Sequence, residues 1–268
     1  MPFIDTHVHL HFPEYDKDRE AVIEASRKAG VETFVNVGTG VESSRKSLQL
    51  AKDHASLYAT AGIHPHDAKD ATPEDFAAIA ELLKEPKMVA VGEVGLDFYR
   101  GHSPREKQEQ IFREFLRLHH ALKKPLVIHC RDAYEEMLAV IKSEIPPPYD
   151  GVMHCFSSDK DTMKKFLDLG FFISFAGPLT YKKNDGLREA CRACPKDRLV
   201  LETDAPFLPP QSRRGTRNES AFLVETAQAA SELQGVPLER LGEITTANAK
   251  RLFRLAQGPG PAAPAGRE

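Results

Sequence analysis

Residues 125–175 read PLVIHCRDAYEEMLAVIKSEIPPPYDGVMHCFSSDKDTMKKFLDLGFFISF. Short apolar runs at Pro125–Ile128, Gly151–His154 and Phe171–Phe175 alternate with amphipathic stretches over Ala133–Lys142 and Asp159–Leu169. The runs have strand length, the amphipathic stretches have helical length, and Gly170 stops the second helix. Strands alternating with helices predict a parallel sheet.

The same rhythm extends in both directions. Upstream, strand-like runs lie at Phe3–Val8, Val31–Val37, Leu57–Ile63 and Lys87–Val94. Helices are expected at about residues 18–28 and 43–53, and a third opens at Thr72-Pro73-Glu74-Asp75, a cap followed by proline and acidic residues. Ser103-Pro104-Arg105-Glu106 reads as a capping box opening a long fourth helix. Downstream come a weak helix at Leu187–Arg192, an eighth strand at Arg198–Glu202, and helices over Ser220–Leu233 and Leu238–Leu255. Eight βα units in a chain of 268 residues predict an α/β protein, a closed (β/α)8 TIM barrel over residues 1–256. The alternative, an open doubly wound sheet, lacks its frequent companions: neither GxxxxGK[ST] nor GxGxxG occurs. Residues 257–268, QGPGPAAPAGRE, read as a tail with too little apolar surface to order itself.

Composition bounds the function. The 41% hydrophobic and 28% charged residues are those of a globular domain, and no apolar run approaches the ~18 residues of a membrane helix. The start, MPFIDTHVHL, lacks the features of a secretory signal. Four cysteines make no disulfide framework, which predicts a reducing, cytoplasmic setting. A net charge of −3 argues against coating nucleic acid by bulk charge. The 11 histidines need a reason.

Strand ends supply one. His7 and His9 lie at the end of the first strand, two apart, so their rings share a side and can chelate. His64 and His66 follow the third, Glu93 ends the fourth, His129 the fifth and His154 the sixth; Asp204 follows the eighth. A barrel opens all strand C-termini onto one face, where active sites sit. His7, His9, Glu93 and Asp204 can then hold one ion, and Glu93, His129 and His154 a second, with Glu93 bridging. Two divalent ions clamp the attacking and leaving oxygens of a hydrolysis, and Asp204 can accept the proton of the water. Imidazole mixed with carboxylate suits Zn, Mn or Fe better than a pure Mg site, so the expected cofactors are two divalent ions, Zn, Mg or Mn. Asp5 could orient a ligand, and Glu202 could orient, ligate or merely ion-pair. Cys130 and Cys155 have the opposite parity to their neighbouring histidines and are expected to face the helical layer. Cys191-x-x-Cys194 lacks a second ligand pair and reads as a surface thiol pair. Arg100, Arg131, Lys182-Lys183, Arg213-Arg214 and Arg217 could receive phosphate.

With FIDTHVHL, GIHPH, VGEVGLDF, PLVIHCRDA, HCFSS, LETDAPFL, RGTRN and TTANAKRLF, the chain resembles the TatD-like metal-dependent deoxyribonucleases of the amidohydrolase superfamily. The resemblance runs over about residues 3–255, and the ordered set is far more specific than the HxH alone. It implies the metal-binding barrel and metal ligands at His7, His9, Glu93, His129, His154 and Asp204. It also implies that His64 contacts the scissile phosphate. His11 stands where relatives usually carry Asp, and it is not expected to be a ligand. The implied activity is hydrolysis of DNA phosphodiesters, a 3′–5′ exodeoxyribonuclease with catalytic Asp204, Glu93 and His64 and substrate contacts at His64, Arg131 and Arg217. Hydrolysis of an amide, lactone or other phosphoester is the alternative, since a fold does not fix a substrate. A Glu rather than the bridging Lys of many such relatives favours the nuclease. A non-catalytic metal-bound scaffold predicts lost ligands, and none is missing.

Overall fold

The computed structural model describes residues 2–255; the tail expected over 257–268 lies outside them. The order is β1 (Phe3–Val8), α1 (Arg19–Lys28), β2 (Val31–Val37), α2 (Val41–Asp53), β3 (Leu57–Ala61), α3 (Pro73–Leu82), β4 (Met88–Asp97) and α4 (Arg105–Leu122). Then follow β5 (Leu126–Arg131), α5 (Tyr134–Glu144), β6 (Gly151–Met153), α6 (Lys160–Asp168), β7 (Phe172–Phe175), α7 (Asp185–Ala193), β8 (Leu199–Leu201), α8 (Leu223–Gln234) and α9 (Leu238–Phe253). The eight strands pair in chain order, every pair parallel. This is the (β/α)8 barrel.

Two apolar layers hold it. The larger joins the outer strand faces to the helices, with Val22, Ile23, Ile79, Ile111, Phe115 and Met137 among its members. The smaller fills the barrel interior with Ile4, Val35, Val89, Val127, Val152, Phe172 and Val200. Leu252, Phe253 and Leu255 from the end of α9 close that interior from below. Buried apolar side chains of this kind each stabilise by roughly 1.5–3 kcal/mol.

The first and last strands meet with little ladder. One bridge, Val8 with Ala205, joins them, helped by Asp204 N–H donating to His7 O (2.9 Å) and His9 N–H to Ala205 O (2.8 Å). Side chains reinforce the seam. The buried Asp5 carboxylate accepts from Thr203 N–H (3.0 Å), the Thr203 hydroxyl (2.6 Å) and the Ser220 hydroxyl (2.7 Å). Asp5 thus fixes the backbone next to Asp204 rather than touching an imidazole.

Local departures from the sequence reading have physical causes. Thr72 and Asp75 form the capping box, but Ser103 does not cap α4. Its hydroxyl donates to His66 O (2.6 Å) and accepts from Lys69 N–H, holding the loop after β3 instead. β4 continues past Glu93 to Asp97, because Gly95, at φ +145°, lets its backbone lie against β5. A Cβ there would sit 2.0 Å from His129 O. Cys191 and Cys194 are buried rather than superficial: α7 packs that face inward, and Gln234 bonds both carbonyls.

Candidate metal centre

At the C-terminal mouth of the barrel, Glu93 stands among five imidazoles. Its Oε2 lies 3.3 Å from His7 Nε2 and 3.8 Å from His9 Nε2. Its Oε1 lies 3.0 Å from His129 Nδ1, 3.0 Å from His154 Nε2 and 3.4 Å from His64 Nε2. Asp204 Oδ1 is 3.6 Å from Nε2 of both His7 and His9, and those two nitrogens are 3.2 Å apart. Donors around a tetrahedral ion with bonds of 2.0–2.1 Å stand about 3.3–3.4 Å from one another. The spacing therefore fits a divalent cation on each side of the Glu93 carboxylate.

The outward ring atoms support the same reading. His9 Nδ1–H donates to Val37 O (2.7 Å), which leaves Nε2 its lone pair toward the centre. Glu202 Oε1 backs His154 Nδ1 (3.1 Å) and also accepts from Cys155 N–H (2.7 Å). Asp97 Oδ2 backs His129 Nε2 (3.2 Å) and binds His66 Nε2 (2.9 Å). Outer carbonyl and carboxylate partners of this sort orient imidazoles that ligate metals. His7 Nδ1 and Glu202 Oε2 are buried without a partner.

The electrostatics match. Burial alone would raise Glu93, but the surrounding imidazoles hold it well below the usual carboxylate range. Asp204 is likewise raised by burial yet ends lowered, through its bond with His9 and the charges of His154 and His7. Burial takes His64 down to about 4, so its ring is neutral near pH 7. Burial works to lower His9, His129 and His154, but the neighbouring carboxylates raise all three, so without metal imidazolium answers carboxylate, and a divalent cation would take the place of those protons.

A cleft of about 700 Å³ opens above it, lined among others by His9, His64, His66, Glu93, His129, His154 and Asp204. Arg100 and Arg131 also line it, as sequence suggested for phosphate. Arg217 does not. Its guanidinium holds Asp18 bidentately (2.9 and 2.7 Å), Glu219 (2.8 Å) and Glu14 O (2.6 Å), so its donors are spent on tying the loop after β8 to α1. Arg213 pairs with Glu225 (2.8 Å). Cys155 is also displaced from expectation and lines the cleft. β6 ends at Met153 and Cys155 has φ +41°, so strand parity no longer governs it. His11 binds Asn36 (3.3 Å) and Ser43 (2.7 Å), outside the donor set.

Sequence reasoning gave Asp97 no role and left Glu202 open. Parity with Asp204 brought Glu202 into view without settling its role, which only its contact with His154 supplies. Asp97 lies four residues after Glu93 on β4, and carrying the period-two reading past Gly95 would have pointed to it.

The fold and the imidazole–carboxylate cluster at its mouth are those of metal-dependent hydrolases built on an amidohydrolase-type barrel. The chain belongs to the TatD related DNase family, whose family model matches residues 4–254. It is 39% identical over 251 residues to the uncharacterized metal-dependent hydrolase YabD of Bacillus subtilis, covering 94% of this chain and 98% of that protein. It is 37% identical over 257 residues to the 3′–5′ ssDNA/RNA exonuclease TatD of Erwinia tasmaniensis, covering 94% and 99%. Among solved structures it superposes on the Escherichia coli TatD homolog YjjV with a TM-score of 0.90 at 29% identity, covering 95% and 98%.

Proposed function

We propose that the chain is a two-metal phosphodiesterase that removes nucleotides from single-stranded DNA ends, with 3′–5′ polarity. The observation that carries the reading is the divided Glu93 carboxylate, one oxygen facing His7 and His9, the other His129 and His154. His7, His9, Glu93 and Asp204 would hold one divalent ion, and Glu93, His129 and His154 would hold a second; Zn, Mg or Mn fits this donor set. When bound, such ions activate a water near neutral pH and stabilise charge developing on phosphate.

The chain's own groups do the rest. Asp204, ionised and beside the first donor group, takes the proton of the attacking water. His64 lines the cleft with Nδ1 accepting from His66 N–H (3.2 Å), so its neutral ring carries the proton on Nε2, 3.4 Å from Glu93 Oε1, and this is the donor it offers to a non-bridging phosphate oxygen. Arg131, at the end of β5, pairs with phosphate. Glu202 and Asp97 keep His154 and His129 in place. The relatives named as exonucleases and the arginines of the cleft support a nucleic-acid end as substrate. The free thiols support a reducing, cytoplasmic setting. No helix among the described residues is long and apolar enough to cross a membrane.

The test is degradation of labelled single-stranded DNA, blocked at one end or the other, with Mg²⁺, Mn²⁺ or Zn²⁺, beside a panel of esters and lactones. Wild type should shorten DNA from the 3′ end, and Asp204→Asn or Glu93→Ala should abolish it. Wild type that ignores DNA but turns over a lactone or another ester sinks the nuclease reading.

A further inference from the structure

Three large hydrophobic side chains stand exposed among the described residues: Tyr99 (58%), Phe207 (48%) and Leu208 (36%). All three lie at the mouth of the metal cleft. Phe207 and Leu208 line it, and Tyr99 packs beside the cleft-lining Arg131, whose guanidinium carbon is 4.1 Å from the ring centroid. Exposed apolar groups gathered at one mouth mark a surface that is covered in use.

Their arrangement identifies what covers them. Phe12 stacks on His9, one of the metal-facing imidazoles, with centroids 4.6 Å apart and planes at 15°. Phe207 stands edge-on to Phe12 at 6.1 Å and 76°, and 6.1 Å from His9. An aromatic wall thus begins one ring away from the candidate centre. That is about the distance from a nucleotide's phosphate to its own base. Charge is divided to match, with Arg100 and Arg131 across the cleft. An aromatic face beside cations is the pattern that grips single strands, with bases stacked and phosphates paired. A base inside a duplex has no free face to offer.

We infer that Phe207, backed by Phe12, is the stacking platform for the unpaired base next to the scissile phosphate, and thereby selects single-stranded ends. Tyr99, held by Arg131, takes a neighbouring base. The inference rests on the phosphodiesterase reading and adds the residues that read the strand. Phe207 and Tyr99 touch substrate bases and take no part in proton transfer.

The test uses a single-stranded oligonucleotide with 2-aminopurine as the terminal base, and a second with an abasic terminal unit. Binding is measured with divalent metal present on oligonucleotides whose terminal linkage is a cleavage-resistant phosphorothioate, and cleavage on the ordinary oligonucleotides. Terminal 2-aminopurine should be quenched on binding wild type, much less so with Phe207→Ala, and again with Phe207→Tyr. Phe207→Ala should raise KM for the base-bearing end about tenfold, the size of a lost stacking contact. On the abasic end wild type and Phe207→Ala should converge. The proposal falls if the wild-type protein binds the oligonucleotide without quenching, or if Phe207→Ala penalises both ends equally. Quenching that depends on Phe207 in a protein that cleaves no DNA keeps the platform and discards the nuclease. No binding at all discards both.

Discussion

Glu93 is buried with a full charge, which is tolerable only because imidazoles and, in use, cations answer it. Its partners depend on groups behind them. Asp97 accepts from both His129 and His66, so Asp97→Asn removes a charge and loosens two rings at once. Metal affinity of that variant should fall about 10- to 100-fold in a chelator-competition titration, with the fold intact by circular dichroism. A second residue-scale expectation concerns pH. His119, buried in α4 with Nδ1–H donating to Lys124 O (2.5 Å), is pushed below its ordinary 6.5, chiefly by burial. The unfolded chain takes up its proton near pH 6.5 while the folded chain stays neutral. Its contribution to stability is therefore complete above that pH and is lost as the pH falls below it. With chelator present, the urea midpoint of wild type should fall relative to that of His119→Gln between pH 7.5 and 5.5, the titration of all other groups being common to both. Residues were the most legible level for the candidate donors: a histidine or carboxylate at or just after six of the eight strand ends was visible by spacing. Arg217 was not, because its partners Asp18 and Glu14 lie some 200 positions away and no local pattern reveals them.

At the scale of elements, strand and helix positions could be read almost throughout, because apolar period and capping residues are local. The misreadings occur where tertiary demands override them. Ser103, read as the cap of α4, is spent on the loop after β3. β4 outran its expected end since glycine looks like punctuation until a neighbouring backbone needs its space. Gly95→Ala would drive a methyl into His129 O and force a residue with a side chain into φ +145°. Strain and overpacking each cost about 1–3 kcal/mol, so a loss of at least about 2 kcal/mol in denaturant unfolding is expected, with weaker metal binding as His129 shifts. A variant as stable as wild type would show that β4 can retreat from β5 there.

For the molecule as a whole, net charge bounded little and topology much. The −3 balance argues against bulk coating of nucleic acid and says nothing of the cleft, which Arg100 and Arg131 line beside the candidate centre. Closure of the barrel was implied by eight repeats, but its seam was not. Asp5, Thr203 and Ser220 come together only once the circle is complete. Asp5→Ala would strand a buried backbone N–H and two hydroxyls, at about 1–3 kcal/mol for each group left without a partner. Global unfolding should shift to lower denaturant, and amide exchange should quicken first along β1 and β8.

That seam also sets a timetable for synthesis. Its partners Asp5 and Thr203 are 198 positions apart, and the donors His7 and Asp204 flank them. A ribosome releases the first histidines long before the last carboxylate, and pairings this distant form late. A prematurely terminated chain lacking β8 carries most of the imidazoles but not Asp204, and its barrel stays open. The first donor group is thus complete only once the chain has been made through β8 and the circle has closed.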